Sequence, residues 1–217
     1  ITYRYIQWIK DGLDVTAGNF YEQFGSGMVL RAYEERGLGY DNMFDGVRLI
    51  YSPIKGLKLK GLVGKQRIYF AKSPGIVRAL DATFSINDLF KGLSESATQY
   101  SFGGSFVSKF QSANDPFLNI PQNVGAGAVR FDIVGRNWGI NAEYVNKAND
   151  PSSDNHYIFR EGQALLVNMT YTTKGFGALI SLKRVDNMSF RSDRDATTIE
   201  GLVNFVPATT KVHTYAL

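Results

Sequence analysis

The sequence predicts an all-β fold, an antiparallel up-and-down transmembrane β-barrel of about twelve strands. Three observations predict it. Residues of alternating polarity run almost the length of the chain: in Arg130-Phe131-Asp132-Ile133 the charges share one face and the apolar groups the other. Leu165, Val167, Met169 and Tyr171 alternate in the same way with Asn168, Thr170 and Thr172, and Ile140, Ala142 and Tyr144 with Asn141 and Glu143. Successive side chains of a strand point to opposite faces, so each segment has one apolar and one wet side. Short glycine-bearing turns also alternate with long polar connections, the asymmetry of a barrel with tight turns at one membrane face and loops at the other. The segments themselves reach the roughly 9–11 residues that a tilted spanning strand needs.

In order, strands are expected at 1–9 and 13–24, joined by Lys10-Asp11-Gly12, and a long segment follows at 25–42. The next pair, 43–53 and 57–68, turns at Ile54-Lys55-Gly56 and leads into a connection at 69–76. Strands at 77–89 and 99–110 are linked by 90–98, too long for a tight turn and the one break in the rhythm. After the loop 111–123 come 124–136 and 138–148, meeting at Asn137, and then the loop 149–161. Strands 162–173 and 176–188 meet at Lys174-Gly175; a polar loop at 189–196 precedes strands at 197–206 and 211–217. Glycine accepts positive φ and proline presets its own, which is why these residues mark the turns.

Composition sets limits. With 217 residues the chain fits one large all-β domain, 1–217. Mean hydropathy is -0.17, as expected where lipid-facing and lumen-facing residues interleave, and no apolar run approaches the roughly 18 residues of a membrane helix. Tyr 12 and Phe 15 suit strand ends at a membrane interface, although a Tyr-rich soluble sheet has the same composition. The absence of cysteine excludes thiolate metal sites and Cys nucleophiles. The net charge of +4 comes without a basic block, which gives a nucleic-acid partner no support and fits a mildly cationic lumen. Both Ile1 and Leu217 lie within strand-like sequence, so the chain is expected to be part of a longer one with a larger barrel.

Parity assigns the faces. Val47, Leu49, Tyr51, Leu57, Leu59, Val63, Leu80, Ala82, Phe84, Ile86, Phe131, Ile133, Ala178, Ile180 and Leu182 are expected to face lipid. Arg48, Lys58, Lys60, Asp81, Thr83, Arg130, Asp132, Asn141, Glu143, Ser181 and Lys183 are expected to line the lumen. Arg78 and Arg184 fall on the apolar parity, near expected strand ends where long side chains can snorkel. Leu62 and Val145 are apolar exceptions on the wet parity.

The stretch 25–45 is the candidate functional segment. Arg31, Glu34, Glu35, Arg36 and Asp41 are concentrated there beside Gly25, Gly27, Gly37 and Gly39. Folded inward, they would form a charged constriction of the porin type. The alternatives are an exposed helical turn with its charges in water, or a plug whose charges pair with wall residues such as Arg48 and Arg130. Enzyme motifs are thin. Gly25-Ser26-Gly27 and Gly103-Gly104-Ser105 are not a nucleophile elbow. A Ser–His pair of Ser181 or Ser108 with His213 is disfavoured, and His156 sits in a polar loop. Gly125-Ala126-Gly127-Ala128 leads into a strand rather than the helix a phosphate cradle needs, so small residues for close strand approach are the better reading. Asp150, Asp154 and Asn155 lack the spacing of an EF-hand loop and are expected to be solvated. No catalytic residue, metal or cofactor is expected.

The segment Val15-Thr16-Ala17-Gly18-Asn19-Phe20-Tyr21-Glu22-Gln23-Phe24-Gly25-Ser26-Gly27-Met28, with Leu30-Arg31-Ala32-Tyr33-Glu34-Glu35-Arg36, resembles a family of poorly characterised Bacteroidetes outer-membrane β-barrel proteins. Asp45-Gly46-Val47-Arg48, 61–67 and 207–217 extend the resemblance, which is densest over 13–67. It implies an outer-membrane location in a Gram-negative bacterium and a porin-like wall, and it brings no catalytic residues. Two functions are therefore expected. One is a passive or specific channel for small hydrophilic solutes. The other is a plugged structural or accessory barrel whose partners, besides the surrounding membrane lipid, are envelope proteins of an export, secretion or motility complex.

Overall fold

The computed structural model describes residues 3–113, 117–196 and 201–206. The strands in chain order are β1 (Tyr5–Lys10), β2 (Leu13–Phe20), the short β3 (Gln23–Phe24), β4 (Leu30–Arg31), β5 (Glu34–Glu35) and β6 (Tyr40–Asp41), then β7 (Phe44–Ile54) and β8 (Leu57–Ile68). They continue with β9 (Ala71–Ser85), β10 (Gln99–Phe110), β11 (Asn123–Val134), β12 (Trp138–Lys147), β13 (Gly162–Thr173) and β14 (Phe176–Asp186). Ten of them form one antiparallel sheet in the order β1-β2-β7-β8-β9-β10-β11-β12-β13-β14, each paired with its neighbours in this sequence. β3 pairs with β4 and β5 with β6 as separate two-stranded pieces. Among the described residues β1 and β14 are open edges, so the sheet is an up-and-down meander without a closing pair.

Local chemistry sets the turns. Asp11-Gly12 and Lys174-Gly175 place glycine at φ +78 in each case, a backbone conformation that a side chain resists. One expected connection is absent. Residues 71–76 belong to β9, which follows β8 after a tight turn at Tyr69-Phe70. Pro74 and Gly75 read locally as a break, yet the β8–β9 register shifts between Lys65 and Arg67, opposite them. A bulge there accommodates the missing proline N–H within a continuous strand. Arg78 consequently lies in mid-strand, not near a strand end. The strand expected at 197–206 is also not seen in its described part: 201–206 makes a single bridge, Leu202 to Arg191. The strand expected at 211–217 lies outside the described residues.

Two inserts cover one face of the sheet: residues 21–43, and residues 187–196 with 201–206. They are joined to each other. Arg31 N donates to Val203 O at 2.8 Å and Phe205 N to Gly27 O at 2.8 Å. Asn204 Nδ2 donates to Met28 O at 2.9 Å and to Met188 O at 2.8 Å. Phe24, Met28, Leu30, Met188, Phe190 and Val203 of the inserts form one buried cluster with Phe20, Phe44, Leu62, Val77, Val107, Ala126, Val145 and Ala164 of the wall. Those wall residues come from every strand between β2 and β13. Laid flat, these strands would span about 34 Å at roughly 4.8 Å per strand, so the sheet must curve around the inserts to share one core with them. The two exceptions to parity, Leu62 and Val145, are explained: both are buried against the inserts.

The opposite face is bare and apolar. Leu80 and Ile180 are each 65% exposed and Val129 63%. Leu49, Tyr51, Phe84 and Leu182 are exposed too, whereas Leu59, Ile133, Ile140, Leu165 and Val167 are half-buried, flanked by neighbours on adjoining strands. The limit of this apolar band follows a slant. Toward the long-loop end, the first charged or amide side chains on the outer parity are Asp45 in β7, Lys65 in β8, Arg78 in β9, Asn123 in β11, Asn146 in β12, Gln163 in β13 and Arg184 in β14, with none in β10. Traced through the register to β7, Arg78 aligns with Val47, Asn146 with Leu49 and Arg184 with Tyr51. Lys65 and Asn123 align with Asp45 and Gln163 with Leu49, so the limit lies further toward the short-turn end in β12 to β14 than in β7 to β9, with β11 the exception. At that short-turn end Trp138, Tyr171 and Phe176 are exposed.

Gly75 marks where the second insert touches the wall most closely. A Cβ there would lie 2.0 Å from Ser192 O. Gly75→Ala is expected to cost about 1–3 kcal/mol through overpacking and to lift residues 187–196 from the sheet. Faster tryptic cleavage after Arg191 and Arg194 would report it.

Candidate functional site: the charged inner face

The register places Arg48, Lys58, Lys60, Asp81, Arg130, Asp132, Asn141, Glu143 and Lys183 on the face that carries the inserts. Asp81 and Arg130 come from β9 and β11 and meet across β10. Arg130 Nη1 lies 2.8 Å from Asp81 Oδ1 and Nη2 3.1 Å from Oδ2, and the same nitrogens donate to Ser105 Oγ at 2.8 Å and Thr83 Oγ1 at 2.7 Å. Ser105 Oγ in turn donates to Asp81 Oδ1 at 2.6 Å. The pair is nearly dry, with side chains 2% and 11% exposed, and the bidentate fork with its two hydroxyls is the arrangement that makes such burial tolerable.

The inserts and loops supply further partners. Glu22 stands 2.7 Å from Lys60 Nζ and 3.7 Å from Arg48. Ser26 N donates to Glu143 Oε2 at 2.7 Å, a contact between residues 117 apart in sequence. It requires Gly25, whose φ is +54 and whose added Cβ would lie 2.6 Å from the same carboxylate oxygen. Deeper toward the long-loop end, Asp150 accepts from Lys109 Nζ at 2.7 Å and lies 3.8 Å from Lys147 Nζ, all three essentially buried. Lys147 also donates to Ser189 O at 2.7 Å. Asp154 pairs with Arg191 at 2.9 Å. Burial alone would raise the Asp154 carboxyl, but hydrogen bonds from Ser189 and Arg191 and the arginine charge outweigh it and hold the group below the usual carboxylate range.

Buried Asp150 corrects the expectation of solvated loop carboxylates, whereas Asp154 stays exposed while pairing with Arg191. Among the described residues no group of three His, Cys, Asp or Glu side chains could hold a metal ion. Gly125-Ala126-Gly127-Ala128 lies within β11, where a Cβ on Gly125 would meet the Phe106 ring at 3.2 Å, in keeping with close packing between strands. His156 is an exposed loop residue, Ser181 Oγ donates to Asn168 Oδ1 at 2.7 Å, and His213 lies outside the described residues.

The charged stretch of the first insert is arranged differently from a constriction. Arg31 lies over the rings of Tyr33 and Phe205, 4.6 Å and 4.5 Å from their centroids. Glu34 and Arg36 pair with each other at 3.3 Å on the exposed side, Glu35 accepts from Gly37 N, and residues 36–38 form a 3-10 turn. Asp41 pairs with Arg67 at 2.8 Å and accepts from the Tyr21 hydroxyl at 3.2 Å. Burial first, then the Asp41 carboxylate, push the Tyr21 hydroxyl far up; burial with the Tyr33 ring beside it takes Tyr40 up to about 12. Among the described residues, none of Arg31, Glu34, Glu35 and Arg36 forms an ion pair with the strand wall. The insert residues that meet wall charges are Asp41, which pairs with Arg67 of β8, and Glu22 and Ser26, which lay inside or beside an expected strand and carried no local mark.

Nearer the short turns the inner face is uncovered. Ser85, Ser101, Asp132, Asn141, Asn168 and Ser181 stand side by side in register on six consecutive strands. Asn141 donates to Asp132 within this row. A cavity of about 320 Å³ opens between the row and the insert, lined by Gly25, Ser26, Arg130, Asp132, Asn141, Glu143, Leu166 and Asn168. Among the described residues no helix is long and apolar enough to cross a membrane.

Arg130→Ala is expected to destabilise the fold by about 3–5 kcal/mol, because it strands a buried Asp81. Replacing the two together by apolar residues of similar volume should cost far less. Denaturant midpoints of the single and double variants measure the difference.

No curated protein and no solved structure matches the chain. A family model, described as a family of unknown function (DUF6029), matches residues 1–217, and the chain belongs to that family.

Proposed function

We propose that this sheet is the wall of an outer-membrane β-barrel in a Gram-negative bacterium, occluded from within. In this reading the protein is a structural or accessory component of an envelope export, secretion or motility complex, in preference to an open pore for small hydrophilic solutes. The observation that carries the choice is the body filling the inner face. The two inserts are hydrogen-bonded to each other, share one apolar core with eight strands, and meet wall charges through Glu22 and Ser26. A permanently wet conduit would leave that face to water, not to Phe24, Met28, Phe190 and Val203.

The membrane part of the reading rests on the outer face. A flat lipid boundary cuts tilted strands at successively different residues. Between Asp45 and the Arg184 level at Tyr51 the limit moves six residues, across the seven strand spacings from β7 to β14. At about 3.3 Å per residue and 4.8 Å per strand this corresponds to a tilt of roughly 30°, close to the 35–45° or so of membrane barrels. Trp138, Tyr171 and Phe176 stand where the second interface would run. Short turns usually face the periplasm, so the uncovered polar row would open there and the inserts would close the outer side. That cavity is the feature favouring some solute traffic, but it stops at the inserts.

The protein reconstituted in planar bilayers is expected to show no steady conductance. Stable ohmic channels would overturn the occluded reading in favour of the pore. Ile180→Arg on the outer face should cost about 2–4 kcal/mol in a bilayer refolding assay, and Thr170→Arg on the inner face much less. Equal costs would contradict the assignment of faces.

A further inference from the structure

The cavity beside Gly25 and Ser26 is lined by two carboxylates and by one cation that is already paired elsewhere. Arg130, the cation in its wall, has both terminal nitrogens committed to Asp81, Ser105 and Thr83, and Asp81 balances its charge. Glu143 is 6% exposed and accepts one hydrogen bond, from Ser26 N through Oε2. Its other oxygen, Oε1, and the neighbouring Ser26 Oγ are buried without any partner. Asp132 accepts from Asn141, and neither Asp132 nor Glu143 has an ion-pair partner among the described residues. A buried carboxylate oxygen with nothing to accept from is costly, and two acids on one cavity wall attract a cation.

We propose that this cavity binds a small organic cation through a primary ammonium group. The ammonium carries three donors and no acceptor, matching what Glu143, Asp132 and Ser26 lack, and Leu166 offers an apolar wall to the carbon chain attached to it. A bare metal ion fits less well, since among the described residues no third acidic or histidine ligand joins the two carboxylates. The ammonium could belong to a free diamine or to a lysine side chain of a partner. This goes beyond the occluded-barrel reading and does not depend on it, because the cavity belongs to one face of the sheet whether or not that sheet is in lipid.

Calorimetry on the detergent-solubilised protein with putrescine, N-acetyl-lysine methylamide and 1,4-butanediol tests the proposal. Saturable one-to-one binding of an ammonium probe is expected, with none by the size-matched diol. Asp132→Asn, which keeps the hydrogen bond to Asn141, should weaken it at least tenfold, and Glu143→Gln should do so as well. Tighter binding of putrescine assigns the site to a free amine; tighter binding of the lysine derivative assigns it to a partner's side chain. Absence of binding by both ammonium probes, equal affinity for wild type and Asp132→Asn, or displacement by equimolar potassium would overturn the proposal. Loss of this binding would leave the conductance result untouched, and the reverse also holds.

Discussion

A sheet has only two faces, and strand geometry sends alternate residues to each. In this protein one set is apolar and the other is charged, so the charged face must be satisfied from inside the molecule. Asp81 and Arg130 do this within the wall. Glu22, Asp150 and the carbonyl of Ser189 do it from outside the wall, reaching Lys60, Lys109 and Lys147. Each pair is a buried charge that would be severely destabilising alone. The inserts are therefore tied to the charges, and their course over the sheet follows from where Lys60, Glu143, Lys109 and Lys147 stand.

The same face also divides along its length. Toward the long-loop end, apolar Leu62, Val77, Val107 and Val145 interleave on the inner parity with the buried Lys109 and Lys147, and Phe24, Phe190 and Val203 share their core. Toward the short turns the parity becomes polar again and stays uncovered, ending in the row from Ser85 to Ser181. Occlusion and cavity are thus written into successive residues of the same strands, with Glu143 and Ser26 at the border between them.

Much of the wall was legible because its code is local. Period-two alternation located the strands and their faces, and β8 spans the expected 57–68. The connection expected at 69–76 is mostly part of β9, because a register shift on the neighbouring strand accommodates Pro74 and Gly75. The inserts were less legible. Ser26 meets Glu143 across 117 positions, and no pattern within the first segment distinguishes Glu22, which enters the core, from Glu34, which stays at the surface. Asp150 reads as an ordinary loop carboxylate until Lys109 and Lys147 are placed on the inner parity beside it. The two parity exceptions, Leu62 and Val145, were the available signal that something apolar covers the inner face.

The central claim is that a level lipid boundary crosses tilted strands, and depth measurement tests it directly. The chain has no native cysteine, so Asp45→Cys, Arg78→Cys, Asn146→Cys and Arg184→Cys can each carry a single spin label in a reconstituted bilayer. Collision with oxygen and with a water-soluble nickel chelate then reports depth. The account predicts that these four labels lie at one common depth at the interface, with labels at Leu80 and Ile180 oxygen-accessible and shielded from nickel. Depths that instead differ by about 7 Å per two-residue step of register, or nickel access equal at Leu80 and Arg78, would contradict it.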